Sequence, residues 1–119
     1  MLAQAEGNTY EALVAVDDVS GQLTGYACFG ATPMTDATFD LYWLVVAAAA
    51  RGHGLGAGLF AAVEQELAGR AKLIRVETSS LEGQGGARRF YEKCGFKLVG
   101  AIEGFYREGD DLLTFTKAV

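Results

Sequence analysis

A chain of 119 residues has room for a single domain, 1-119, around one core, since a fold of this size buries roughly two-thirds of the surface its unfolded chain exposes. Hydrophobic residues at 50% against 21% charged, with one Pro, exclude disorder. A formal charge of −5 opposes a nucleic-acid polyanion, no apolar run approaches the ~20 residues of a membrane helix, and the N-terminus lacks the basic and apolar regions of a secretory signal. The expectation is a soluble, cytoplasmic protein with neither nucleic acid nor membrane as partner.

Glu11 to Val16 and Leu23 to Phe29 are β-rich runs around turn residues 17–22, a hairpin signal. After a break at residues 36–38, Phe39 to Val46 is almost continuously apolar and reads as a central strand covered on both faces. From Leu55 the apolar residues Leu59, Val63 and Leu67 recur every four positions until Gly69, which predicts an amphipathic helix. Lys72 to Thr78 is the next strand. Ala87, Phe90, Tyr91 and Cys94 form one apolar stripe on a second, shorter helix that Gly95 ends. Phe96 to Ile102 and Asp111 to Ala118 close the chain as strands around a Gly109-Asp110 turn. The order β-β-β-α-β-α-β-β implies a mixed, mostly antiparallel sheet with packed helices, an α/β class, in which the first helix is a crossover that makes the third and fourth strands parallel.

Cys28 and Cys94 belong to no C-x-x-C or His-bearing cluster and read as buried free thiols. His53 has no second His or Cys near it, so no metal is expected. The segment Arg51-Gly52-His53-Gly54-Leu55-Gly56-Ala57-Gly58 is more informative. Its glycines leave backbone N–H groups unscreened, and the following helix points the positive end of its dipole at them, so the loop can cradle a phosphate or pyrophosphate. A purely structural glycine turn is the competing reading. A P-loop needs Lys and Ser or Thr where this chain has Ala57 and Gly58. The dinucleotide fingerprint fits Gly52, Gly54 and Ala57, with Glu77 about 20 residues on, but four alanines and an Arg separate the strand from the first Gly, and two antiparallel strands precede it.

A second motif lies downstream: Ala87-Arg88-Arg89-Phe90-Tyr91-Glu92-Lys93-Cys94-Gly95-Phe96. Together the two segments closely resemble the GNAT superfamily of acyl-CoA-dependent N-acetyltransferases. That resemblance implies a GNAT-like (acyl-CoA N-acyltransferase) fold and transfer of an acetyl group from acetyl-CoA to a primary amine of a small molecule or peptide, by direct attack and without a metal. It gives Arg51, Gly52, His53, Gly54, Leu55, Gly56 and Ala57 to the cofactor diphosphate, with His53 at a variable position that is otherwise simply exposed. The backbone of Leu44, Val45 and Val46 goes to pantetheine and the thioester carbonyl. Gln84 falls where relatives carry a cofactor-bonding Asn. Tyr91 matches the family's general acid, or else fills the core stripe beside Phe90. Asp40 matches the position of a glutamate base in histone-acetylating relatives, or serves as a strand-start carboxylate; Glu77 and Glu103 stand behind it as candidates.

Relatives open with a strand and two helices that wall the acceptor site, whereas about ten residues precede the first strand here, so the fold reads as N-terminally short. The strand from Glu11 to Val16 then becomes a sheet edge beside uncovered apolar surface, which implies a homodimer. The alternatives to an enzyme are an inactive acyl-CoA-binding module and a subunit that completes a partner's site.

Overall fold

The computed structural model of the chain describes residues 10–81 and 85–119. Within them the elements follow the order read from the sequence: β1 (Glu11–Val16), β2 (Leu23–Ala31), β3 (Thr38–Val46), α1 (Leu55–Leu67), β4 (Leu73–Ser79), α2 (Gly86–Lys93), β5 (Lys97–Arg107) and β6 (Asp110–Ala118), plus a 3-10 turn at Ala48–Ala50. The strands form one sheet in the order β1-β2-β3-β4-β6-β5. β3 and β4 are parallel and the other neighbours antiparallel, because α1 supplies the long connection that a parallel pair needs.

Both helices share one face of this sheet. α1 buries Leu59, Phe60, Val63 and Leu67, its four-residue stripe, and α2 adds Tyr91; these meet Ala27, Phe29, Leu41, Ile74, Val76 and Phe115 in a single core. Burial of each large side chain there contributes about 1.5–3 kcal/mol. Arg70, just past α1, pairs with Glu11 on β1 and lies over the Phe39 ring at 5.3 Å, which fixes the far end of the helix to the sheet.

Among the described residues, the opposite face is open over much of β1 to β3. Val14, Tyr26 and Val45 form one cross-strand row, Ala12, Cys28 and Trp43 the next, and Val14 and Trp43 are 61% and 59% exposed. The expectation that β3 is covered on both faces is therefore corrected: an apolar run is equally compatible with one covered face, and periodicity alone does not separate the two. The thiols of Cys28 and Cys94 are likewise only half-buried, and desolvation raises both above the usual thiol range.

The last hairpin also differs from the sequence reading. β5 continues past Ile102 to Arg107 and is exposed along its length; Arg107 pairs with Asp110, so the turn is Glu108-Gly109 with Gly109 at φ 82. Gly104 sits at φ 65 within a stretch where the register shifts between Ile102 and Arg107, an irregularity a strand absorbs without ending. Among the described residues no helix is long and apolar enough to cross a membrane.

A different glycine is required for space. A Cβ on Gly25 of β2 would lie 2.8 Å from the Val45 carbonyl oxygen and 3.5 Å from Leu59, so β3 and α1 close on it from two sides. Gly25→Ala is expected to lower stability by about 1–3 kcal/mol, read as a lower urea midpoint at unchanged slope.

Candidate active site

β3 and β4 pair only at Thr38–Leu73, Phe39–Ile74 and Asp40–Arg75. Beyond that rung β3 keeps β2 on its other edge, while β4 continues along β6, so the two parallel strands part. A β-bulge starts at the same place: β2 Cys28 and Phe29 face Trp43 and Leu41, leaving Tyr42 as the extra residue, and a bulge bends and twists the strand that carries it. The last rung is clamped by side chains. Arg75 Nε donates to Asp40 Oδ1 at 2.7 Å and Nη2 to Oδ2 at 3.3 Å, and Thr32 Oγ1 donates to Oδ2 at 2.7 Å. The bond to Asp40 raises the already high Arg75 pKa further. With Arg75 38% exposed, the pair contributes about 1 kcal/mol or less to stability; its main effect is to fix where the strands separate.

The glycine loop closes one end of the opening. Gly52 and Gly54 take left-handed φ values of 84 and 74, which only Gly adopts without strain. Gly54 is the N-cap of α1, and its carbonyl accepts the Gly58 N–H at 3.0 Å. The N–H groups of residues 55–57 before it have no intrahelical acceptor and aim outward with the dipole. Arg51 Nε donates to the Val46 carbonyl at 3.2 Å, which holds the guanidinium beside the mouth of the loop. Gly56 has a separate reason to be bare: a Cβ there would stand 3.1 Å from Phe90 Cε1, so the contact between α1 and α2 depends on it.

Strand fork and loop enclose a cleft of about 920 Å³. Its walls include Leu44, Val45 and Val46 of β3, Arg51, Gly52, Gly54, Leu55, Gly56 and Ala57 of the loop and helix, and Tyr91 of α2. Tyr91 is 9% exposed and held by ring contacts to Phe90, Phe96 and Phe115 at 5.2, 5.5 and 6.0 Å. The pattern is a strand edge past its last parallel rung, a helix N-terminus with an Arg, and a tyrosine in the same wall. It suits an elongated ligand with an anionic end and a reactive carbonyl.

Residues 8–98 match the family described as acetyltransferase (GNAT) domain, more than half of the chain. The chain belongs to the GNAT acetyltransferases. A GNAT-family protein from Desulfovibrio desulfuricans superposes with a TM-score of 0.85 at 37% identity, over 92% of this chain and 68% of that one. An aminoglycoside 6'-N-acetyltransferase complexed with coenzyme A gives 0.76 at 23% identity, over 92% and 72%, and a GNAT acetyltransferase from Elizabethkingia anophelis with acetyl-CoA bound gives 0.72 at 18%, over 84% and 71%. The latter two likenesses concern the fold. No curated protein sequence matches the chain.

Several residues expected in the GNAT site take other positions. Asp40 is 8% exposed, has both carboxylate oxygens engaged by Arg75 and Thr32, and is not among the residues lining the cleft; it is a carboxylate of the fork, not one poised to accept a substrate proton. His53 lines a separate hollow with Asp17, Ser20 and Thr24, because the left-handed glycines on either side turn its side chain to the other flank of the loop. Gln84 lies outside the described residues. Glu103, on exposed β5, is not in the cleft wall either.

Other residues complete the cleft: Tyr42, Trp43, Glu77, Thr78, Ser79, Phe90, Lys93 and Tyr106. Glu77 is the carboxylate among them, placed by strand alternation on the face opposite buried Ile74 and Val76. That alternation is visible in the sequence of β4, but the fork that makes the face accessible is not. Tyr42 is raised above the usual phenol range, by burial first and by the nearby Asp40 charge second, so it stays a neutral hydrogen-bonding group. Ser79 donates to buried Asp110, which also accepts from Arg107, and this ties the end of β4 to the final hairpin.

Proposed function

We propose that the protein transfers an acetyl group from acetyl-CoA to a primary amine. The observation that carries this reading is the fork after Asp40–Arg75, with an N-terminal helix cradle at one end and Tyr91 in its wall. In this reading Arg51 and the amides of residues 52–57 hold the diphosphate, and the backbone of Leu44, Val45 and Val46 holds pantetheine and polarises the thioester carbonyl. Tyr91 gives a proton to the departing sulfur. The amine attacks directly, since neither cysteine lies in the cleft wall and burial holds both as thiols. The coenzyme A and acetyl-CoA bound by the two fold neighbours support the choice of cosubstrate. The site we assign uses no metal, and the setting is the cytoplasm.

The test is calorimetry with acetyl-CoA followed by thiol release on addition of amines. Saturable binding and amine-dependent thiol are expected; no binding would remove the reading. The chain spans 65–74% of the length of its first structural neighbours. A second reading is a binding module that needs a partner to complete its acceptor side. That reading gives binding without thiol release.

We also propose a homodimer that covers β1, the sheet edge, with its exposed Val14 and Val16. Sedimentation at micromolar concentration should give twice the monomer mass, and a monomer alone would count against it.

A further inference from the structure

The part of the cleft away from the glycine loop has its own chemistry. On β3, Tyr42 stacks edge-on with Tyr10 at 5.3 Å and lies 6.2 Å from Trp43. From the final hairpin, Tyr106 reaches the cleft wall with Phe105 edge-on behind it at 5.0 Å. Trp43 and Tyr106 are 59% and 44% exposed, an unusual use of large aromatic rings unless something rests on them. Glu77 belongs to the same wall. No hydrogen bond or salt bridge engages Glu77 among the described residues, and its cationic neighbour Arg75 is already committed to Asp40. An unpaired carboxylate with electron-rich ring faces is the recognition chemistry of an ammonium ion. The basic residues of the wall, Arg51 and Lys93, follow β3 and end α2. The net charge of −5 attracts cations to the molecule as a whole.

Resting on the acetyl-transfer reading above, we propose that the acceptor is a multiply charged amine, with one ammonium at Glu77 and a second cationic group against the rings of Trp43 and Tyr106. Glu77 takes one proton from the reacting ammonium. The nitrogen lone pair then forms the C–N bond as the C–S bond breaks. A second nitrogen proton is lost after attack and balances the one that Tyr91 delivers to sulfur, so the products are an amide, a free thiol and one proton released through Glu77. Glu77 is thus a catalytic residue, while Trp43 and Tyr106 set specificity.

The experiment compares 1,4-diaminobutane with 4-amino-1-butanol, equal in length but singly charged, by thiol release with acetyl-CoA. The diamine is expected to be favoured about tenfold or more in kcat/KM. Trp43→Ala and Tyr106→Ala should reduce that preference towards unity. Glu77→Gln should lower kcat for both amines about 100-fold, with acetyl-CoA affinity unchanged in calorimetry. Acetyl-CoA binding with equal use of the two amines overturns this proposal and leaves acetyl transfer standing; absence of acetyl-CoA binding by the unaltered chain overturns both. The two-amine comparison needs no variant, so it decides the matter even if a substitution prevents folding.

Discussion

Tyr91→Phe lowers kcat for acetyl transfer by about 100-fold or more, the usual contribution of a positioned general acid, while the dissociation constant for acetyl-CoA changes less than about twofold. The asymmetry follows from what the side chain does. Its ring is part of the core, meeting Phe90, Phe96 and Phe115, and Phe preserves those contacts. Tyr91 lines the cleft and the substitution removes its hydroxyl, so the expected defect lies in the step where sulfur becomes anionic and must be protonated. Steady-state kinetics with calorimetry on the same preparation checks this. If turnover is unchanged, Tyr91 has a packing role alone.

Gly54→Val raises the dissociation constant for acetyl-CoA by about 100-fold and leaves the core intact. Gly54 holds φ 74 at the N-cap of α1, where a β-branched residue costs roughly 1–2 kcal/mol. Relief of that strain rotates the loop and misaligns the amides meant for the diphosphate, each worth about 1.5–3 kcal/mol when it meets a charged oxygen. A Cβ at this position meets nothing within 4 Å, so the defect comes from backbone conformation and not from a clash with the core. Thermal unfolding should therefore show only a small shift. A large loss of stability with normal affinity in the folded fraction would mean that the glycine serves folding rather than binding.

The two expectations differ in how they could be read. Gly54 was legible because left-handed backbone before a helix selects Gly locally, and the spacing from Arg51 to Gly56 lies within a few residues. Tyr91 was legible because it shares a helical stripe with Ala87, Phe90 and Cys94 and sits in a motif. Asp40 shows the opposite case. Its place at a strand start was visible, but its partner Arg75 is 35 residues away and belongs to the other strand of the fork. Glu77 stood in the sequence only as a candidate base behind Asp40, Tyr106 carried no local signal that set it apart from any exposed strand residue, and His53 stood inside a binding motif yet lines a separate hollow.

By itself the sequence determined the order of the strands and helices, the amphipathic face of α1, the parallel crossover and the glycine loop, because each depends on side-chain period, turn chemistry or backbone freedom over a few residues. Only the tertiary structure decided where β3 leaves β4, that Asp40 is bound to Arg75, and that Glu77 shares a cleft wall with Trp43 and Tyr106. Those facts arise from the pairing of distant strands and from a single bulge at Tyr42. One extra residue there changes which face every following side chain of β3 presents, and no local pattern encodes it.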